Sequence, residues 1–207
     1  MATTDLHKAL SEISAIRGQI ARGAEFRGYG PTTVAATGLL AVLAAAVQTL
    51  CVPAPQRMIL AYLAIWVSTA ALSLLITAVE TITRARRLHH GLAMQMIQSA
   101  AEQFLPAIVA GLLLTVVLLR HGPASLWMLP GLWQIVFSLG VFASCRFLPR
   151  AMFLAGIWYL CCGLMYLALG AGTGALAPWT MGLPFGIGQL LIAAVLCLSQ
   201  RPVDERA

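Results

Sequence analysis

The sequence predicts an all-α integral membrane protein: a bundle of six transmembrane helices preceded by an amphipathic cytoplasmic helix. Three observations carry that expectation. Of 207 residues, 60% are hydrophobic and only 10% are charged, against roughly 25% charged in an ordinary soluble domain. Several apolar runs approach the ~20 residues that a helix needs to cross the hydrocarbon core. The alternating ~10-residue segments of a membrane β-barrel are not visible, so helices are the spanning element that satisfies every backbone group.

Residues 1–31 form the first segment. Leu6, Leu10, Ile13 and Ile20 make a narrow apolar stripe over residues 4–23, with Thr3 or Thr4 as the N-cap and Gly23 as the stop. Such a helix suits three places: the membrane surface, a second copy of itself, or its own bundle. The N-terminus lacks a short apolar core with a small-residue cleavage site, so no removable signal peptide is expected.

Residues 32–200 form the membrane domain, with spans expected at about 32–52, 58–79, 104–119, 126–145, 151–169 and 179–199. Pro53 and Pro55 stop the first span. The second carries Tyr62 and Trp66 toward one interface and ends at the charged stretch Glu80 to His90. The third follows a helical lead-in and has Pro106 near its start. Span four lies between Pro123 and the link Arg146–Arg150, and the uncharged, Gly-rich segment 170–177 separates spans five and six. Trp127, Trp179 and Tyr62 read as anchors in the aromatic belt. Residues 201–207 are a short polar tail.

Basic residues orient the bundle. The side with both termini carries Lys8, Arg17, Arg22, Arg27, Arg84, Arg86, Arg87, Arg146, Arg150, Arg201 and Arg206, whereas the opposite side has only Arg57 and Arg120. The positive-inside rule assigns the richer side to the cytoplasm. Together with the Ala-, Leu- and Arg-rich make-up, this predicts a small multi-pass protein of a bacterial inner membrane with both termini cytoplasmic. The net charge of +6 is thereby used in orientation. Arg84 to Arg87 lack the interleaved aromatics of a nucleic-acid surface, so no nucleic-acid partner is expected. Membrane lipids are the expected surroundings, and the N-terminal helix is the place to meet a second copy or a protein partner.

Polar groups inside lipid are costly and therefore informative. No Asp, Lys, Arg or His falls in the middle of a span, which argues against a proton relay or voltage sensor. The main candidate is a stripe on span two, Thr69, Ser73, Thr77, Glu80 and Arg84, whose spacings keep it on one helix face. It reads either as the lining of a cavity open to the cytoplasm or as hydroxyls bonded to their own helix, with Glu80 paired to Arg84. Gln134 and Gln189 should both point inward, into a shared pocket or into interhelical hydrogen bonds. Arg84, Arg86, Arg87, His89, His90 and Glu102 make a charged cytoplasmic cluster. Glu80, Glu102 and the two histidines supply two carboxylates and two imidazoles, but no strong ligand spacing, so no metal and no cofactor is expected. The five cysteines form no CxxC pair and read as small apolar packing.

Gly182-x-x-x-Gly186 allows close helix approach. Leu-Pro followed by Gly-x-x-Gln occurs in both spans four and six, a faint internal echo. Three functions follow in order of preference. The first is a non-catalytic binding, sensing or assembly subunit with an apolar or lipid-like ligand. The second is a transporter or channel subunit for a neutral or amphipathic solute, and the third a lipid-modifying membrane enzyme. Too few acid–base groups are present to favour catalysis.

Overall fold

The computed structural model describes residues 30–87, 91–145, 149, 151–172 and 174–199. The expected N-terminal helix, His89, His90 and the tail 201–207 lie outside the described residues. Every regular element among the described residues is helical, and six helices are long and apolar enough to cross a membrane.

Helix α1 spans Pro31–Cys51, with Pro31 in its first turn, where a missing N–H costs nothing. Its 21 residues rise about 31 Å at 1.5 Å per residue, close to the ~30 Å of a bilayer core. Helices α2 (Ile59–Arg87) and α3 (Gly91–His121) are longer than a span requires. A 3₁₀ turn over Pro123–Met128 leads directly into α4 (Leu129–Ser144), and together they form one apolar helical stretch where the fourth span was expected. The change from 3₁₀ to α geometry has a local cause. Pro130 lies in the first turn of α4 and has no N–H with which to continue the preceding helix. Helices α5 (Met152–Leu169) and α6 (Trp179–Ser199) complete the set.

The helices pack as neighbours in the order α2, α1, α6, α5, α4, α3, with α2 and α3 touching lightly to close the ring. Small residues govern the tightest contacts. At the α1–α6 seam, a Cβ on Gly38 would stand 3.1 Å from the Gly186 carbonyl, and one on Gly182 would stand 2.6 Å from Ala45 Cβ. Gly182-x-x-x-Gly186 is therefore set against Gly38, Ala41 and Ala45. At the α4–α5 seam, Gly131 and Gly163 face each other, and a Cβ on either would come within 2.8 Å of the other's carbonyl oxygen. Small residues bring helix backbones together where lipid removes any hydrophobic gain from association.

Two apolar clusters fill the ring. One joins Ala41, Ala44, Tyr62, Leu63, Trp66, Leu129, Leu176 and Met181. The other joins Val34, Met152, Ala155, Tyr159, Ile192, Ala193 and Leu196. Between helices, Phe137 meets Phe104, Tyr159 and Phe185 edge-on, with ring centroids 4.7 to 5.3 Å apart. Tyr62 and Trp66 are turned into the bundle, at 0% and 3% exposure, and not toward an interface as the sequence suggested. Trp179, at 57%, is turned outward. By contrast α2 and α3 show exposed apolar faces, and Thr115 is the one buried side chain among the described side chains of α3.

Candidate functional site

The buried polar side chains act between helices. Gln48 of α1, fully buried, donates from Nε2 to the Leu176 carbonyl at 2.7 Å and accepts from Trp66 Nε1 at 2.7 Å. One amide thus joins α1, α2 and the segment before α6. Trp133 Nε1 donates to Thr115 Oγ1 at 2.9 Å, linking α4 to α3.

The third group surrounds Pro184, which lies inside α6. Proline has no N–H, so the carbonyl four residues earlier, Thr180, loses its helical donor. Gln134 Nε2 of α4 donates to that carbonyl at 2.7 Å. Trp158 Nε1 of α5 donates to the carbonyl of Pro184 itself at 3.0 Å. Helix α6 therefore runs through its proline uninterrupted, braced from both sides, which weighs against a binding site built on two half-helices.

Thr69, Ser73, Thr77 and Glu80 of the α2 stripe are half-buried. Its two threonine hydroxyls bond their own helix. Thr69 donates to the Ile65 carbonyl at 2.7 Å and Thr77 to the Ser73 carbonyl at 2.8 Å. Thr81, which the sequence reading passed over, is buried and donates to the Thr77 carbonyl at 2.7 Å. Arg84, Arg86 and Arg87 fall in the last turn of α2, and Glu102 is an exposed residue of α3. Among the described residues, no three His, Cys, Asp or Glu side chains converge as metal ligands would.

Gln134 and Gln189 serve different places. Gln134 reaches Thr180, whereas Gln189 lies nine residues further along α6, about 13 Å by helical rise, against Gly38 and beside Tyr159. The echo between spans four and six does not share a register either. Pro130 opens α4, but Pro184 sits in the second turn of α6.

Among the described residues, four side-chain oxygens are buried without a hydrogen-bond partner: Tyr62 Oη, Gln103 Oε1, Gln134 Oε1 and Tyr159 Oη. Tyr159 Oη has Gln189 as its polar neighbour, but the pair does not reach hydrogen-bond geometry.

At the end of the bundle opposite the start of α1 and the close of α6, the three connecting segments surround a depression of about 270 Å³. Gln56, Ile59, Leu126, Trp127, Ala171 and Leu176 are among its lining residues, none of which is charged.

Sequence reasoning missed Gln48, Trp66 and Trp158 as bracing groups. The signal for Gln48 was present: a lone amide in an Ala- and Leu-rich span must find a partner. No protein-family model, curated protein or solved structure matches the chain.

Proposed function

We propose that this chain is a multi-pass protein of a bacterial inner membrane, with both termini cytoplasmic, that works as a non-catalytic binding, sensing or assembly subunit. The observation that carries the reading is the use made of polarity inside the spans. Gln48, Trp66, Gln134, Trp133 and Trp158 are engaged in bracing one helix against another. On α2, the hydroxyls of Thr69, Thr77 and Thr81 are bonded to their own backbone. A protein that moves solutes needs polar groups free to meet them, and an enzyme needs convergent acid–base groups. Neither pattern fits these residues as well as a rigid scaffold does, one that offers apolar helix faces to lipid or to an apolar ligand.

Two measurements test this. Proteoliposomes containing the purified chain should pass small neutral solutes no faster than empty vesicles, and gently extracted protein should retain lipid in native mass spectrometry. Flux above the empty-vesicle rate refutes the scaffold reading. For orientation, Ala124→Cys and Asp204→Cys are placed singly in a chain freed of its own cysteines. An impermeant maleimide added to intact cells, with the outer membrane permeabilised where there is one, should label the first and spare the second. The reverse pattern refutes the topology.

A further inference from the structure

We infer that the depression between the three connecting segments is a headgroup site for an anionic phospholipid, whose acyl chains leave the bundle between α2 and α3. The inference rests on the reading of the chain as a membrane subunit with a lipid-like ligand, and it names the class of that ligand.

Charge selects the headgroup. The three connecting segments, with the helix turns that flank them, carry Arg57, Arg120 and His121 and no Asp or Glu. Of the seven acidic residues in the chain, three precede α1, two follow α6, and Glu80 and Glu102 stand toward the other ends of α2 and α3. Glu80 is 21 positions from Ile59 and Glu102 is 18 from Arg120, about 32 and 27 Å along their helices at 1.5 Å per residue. Arg57 and Arg120 are both exposed. Arg57 follows the lining residue Gln56 directly, and Arg120 stands three positions before Pro123, which also lines the depression. A guanidinium with no carboxylate at its end of the molecule is matched by a phosphate, which it binds through two parallel hydrogen bonds.

Depth and shape select a lipid. Ile59 opens the apolar stretch Ile59–Thr83, and Leu126 and Trp127 fall in the first turns of Pro123–Ser144, so the lining straddles the rim of the apolar band. An indole such as Trp127 suits the depth of lipid headgroups. The volume of about 270 Å³ falls below the roughly 300–1,000 Å³ that encloses a whole drug-sized ligand, so it seats one part of a larger molecule. At this end the ring has six edges. Connecting segments bridge three of them, α1–α2, α3–α4 and α5–α6. Glycine contacts close two more, Gly182 against Ala45 between α6 and α1, and Gly131 against Gly163 between α4 and α5. The sixth edge, α2–α3, is the loosest in the ring. In the turns nearest the depression, α2 exposes Leu60 and α3 exposes Val116 and Val117. A lipid with its head in the depression therefore has one way out for its chains, and apolar side chains flank it.

Native mass spectrometry of the full chain in micelles tests it, by titration with phosphatidylglycerol or with phosphatidylcholine of the same acyl chains. The first phosphatidylglycerol should bind at least about fivefold more tightly than the first phosphatidylcholine, the direction set by the attraction of basic residues for anionic lipid. Arg57→Gln combined with Arg120→Gln should weaken phosphatidylglycerol at least about fivefold. Gly172→Trp alters no charge but fills the depression, and should weaken it as much; Gly172 is a lining residue, and a Cβ there meets nothing within 4 Å. Both variants should keep the unfolding midpoint of the parent, which reports an intact bundle. Arg84→Gln, Arg86→Gln and Arg87→Gln together, at the far end of α2, should change the affinity less than about twofold, because they lie beyond screening distance of the site. Equal affinities for the two lipids, a smaller loss in either of the first two variants, or a larger one in the third overturns the headgroup site. Lipid of either kind retained in those cases leaves the subunit reading standing, whereas a chain that retains none removes both.

Discussion

Replacing Gln134 by Leu should destabilise the bundle only as long as residue 184 is proline. Gln134 supplies the Thr180 carbonyl with the donor that Pro184 lacks. Removing it forfeits an interhelical hydrogen bond worth about 0.6 kcal/mol on average and up to ~1.7 in a membrane protein. It also strands a buried carbonyl, which costs about 1–3 kcal/mol. Part of that is offset because Leu also removes the unpartnered Oε1. The net expectation is a loss of about 1–2 kcal/mol, combining those two terms.

In a Pro184→Ala chain, the restored N–H of residue 184 bonds the Thr180 carbonyl along the helix. Gln134→Leu should then cost no more than about 0.5 kcal/mol, the size of an ordinary substitution without a specific partner. The coupling energy of the cycle is thus about 1 kcal/mol, and any cavity left by Pro184→Ala cancels within it. Reversible unfolding of the four proteins in mixed micelles, followed by tryptophan fluorescence, measures the cycle. Additivity within about 0.3 kcal/mol refutes the argument that Gln134 substitutes for the missing backbone donor.

Three further outcomes are expected. Gly163→Ala brings a methyl group against the Gly131 carbonyl, a backbone atom that cannot swing aside; it should cost about 1–3 kcal/mol of stability by overpacking, whereas Gly174→Ala, facing open space, should leave the unfolding midpoint unchanged. Gly170 has φ +77° and ψ −168°, a region that side chains rarely tolerate, so Gly170→Ala should lose about 1–3 kcal/mol in the same assay. Trp66→Phe and Gln48→Leu each break the bond between α1 and α2; their costs should be strongly non-additive, with an interaction energy of about 0.6–1.7 kcal/mol in a double-mutant cycle.

The number of helices was legible because apolar runs bounded by Pro, Gly and Arg read directly as helices with ends. Gly182 and Gly186 also announced a close approach, and α6 meets α1 there. What the sequence did not reveal was which face of each helix turns inward. Lipid is as apolar as the core, so hydropathy does not separate Leu63, buried, from Leu60, exposed. Tyr62 and Trp66 illustrate the same ambiguity. Aromatic residues near a span's end suit the membrane interface, but here the Trp66 indole has Gln48 to bond and the Tyr62 ring packs beside it. In the candidate site, the polar residues were recognisable one by one, whereas their partners were often backbone carbonyls, which carry no sequence signal. The Thr180 carbonyl is the clearest case, freed by a proline four positions away and filled by an amide 46 positions away.

The seam between α1 and α6 has a consequence for how the bundle is made. Gln48 and its acceptor at Leu176 are separated by 128 positions in the chain, so at a synthesis rate of roughly 5–20 residues per second α1 waits on the order of ten seconds for its principal neighbour. During that interval Gly38, Ala41 and Ala45 offer a flat flank to whatever lies beside them in the membrane. A nascent protein that stalls after α5 leaves that flank uncovered, because α6 is the helix that packs on it.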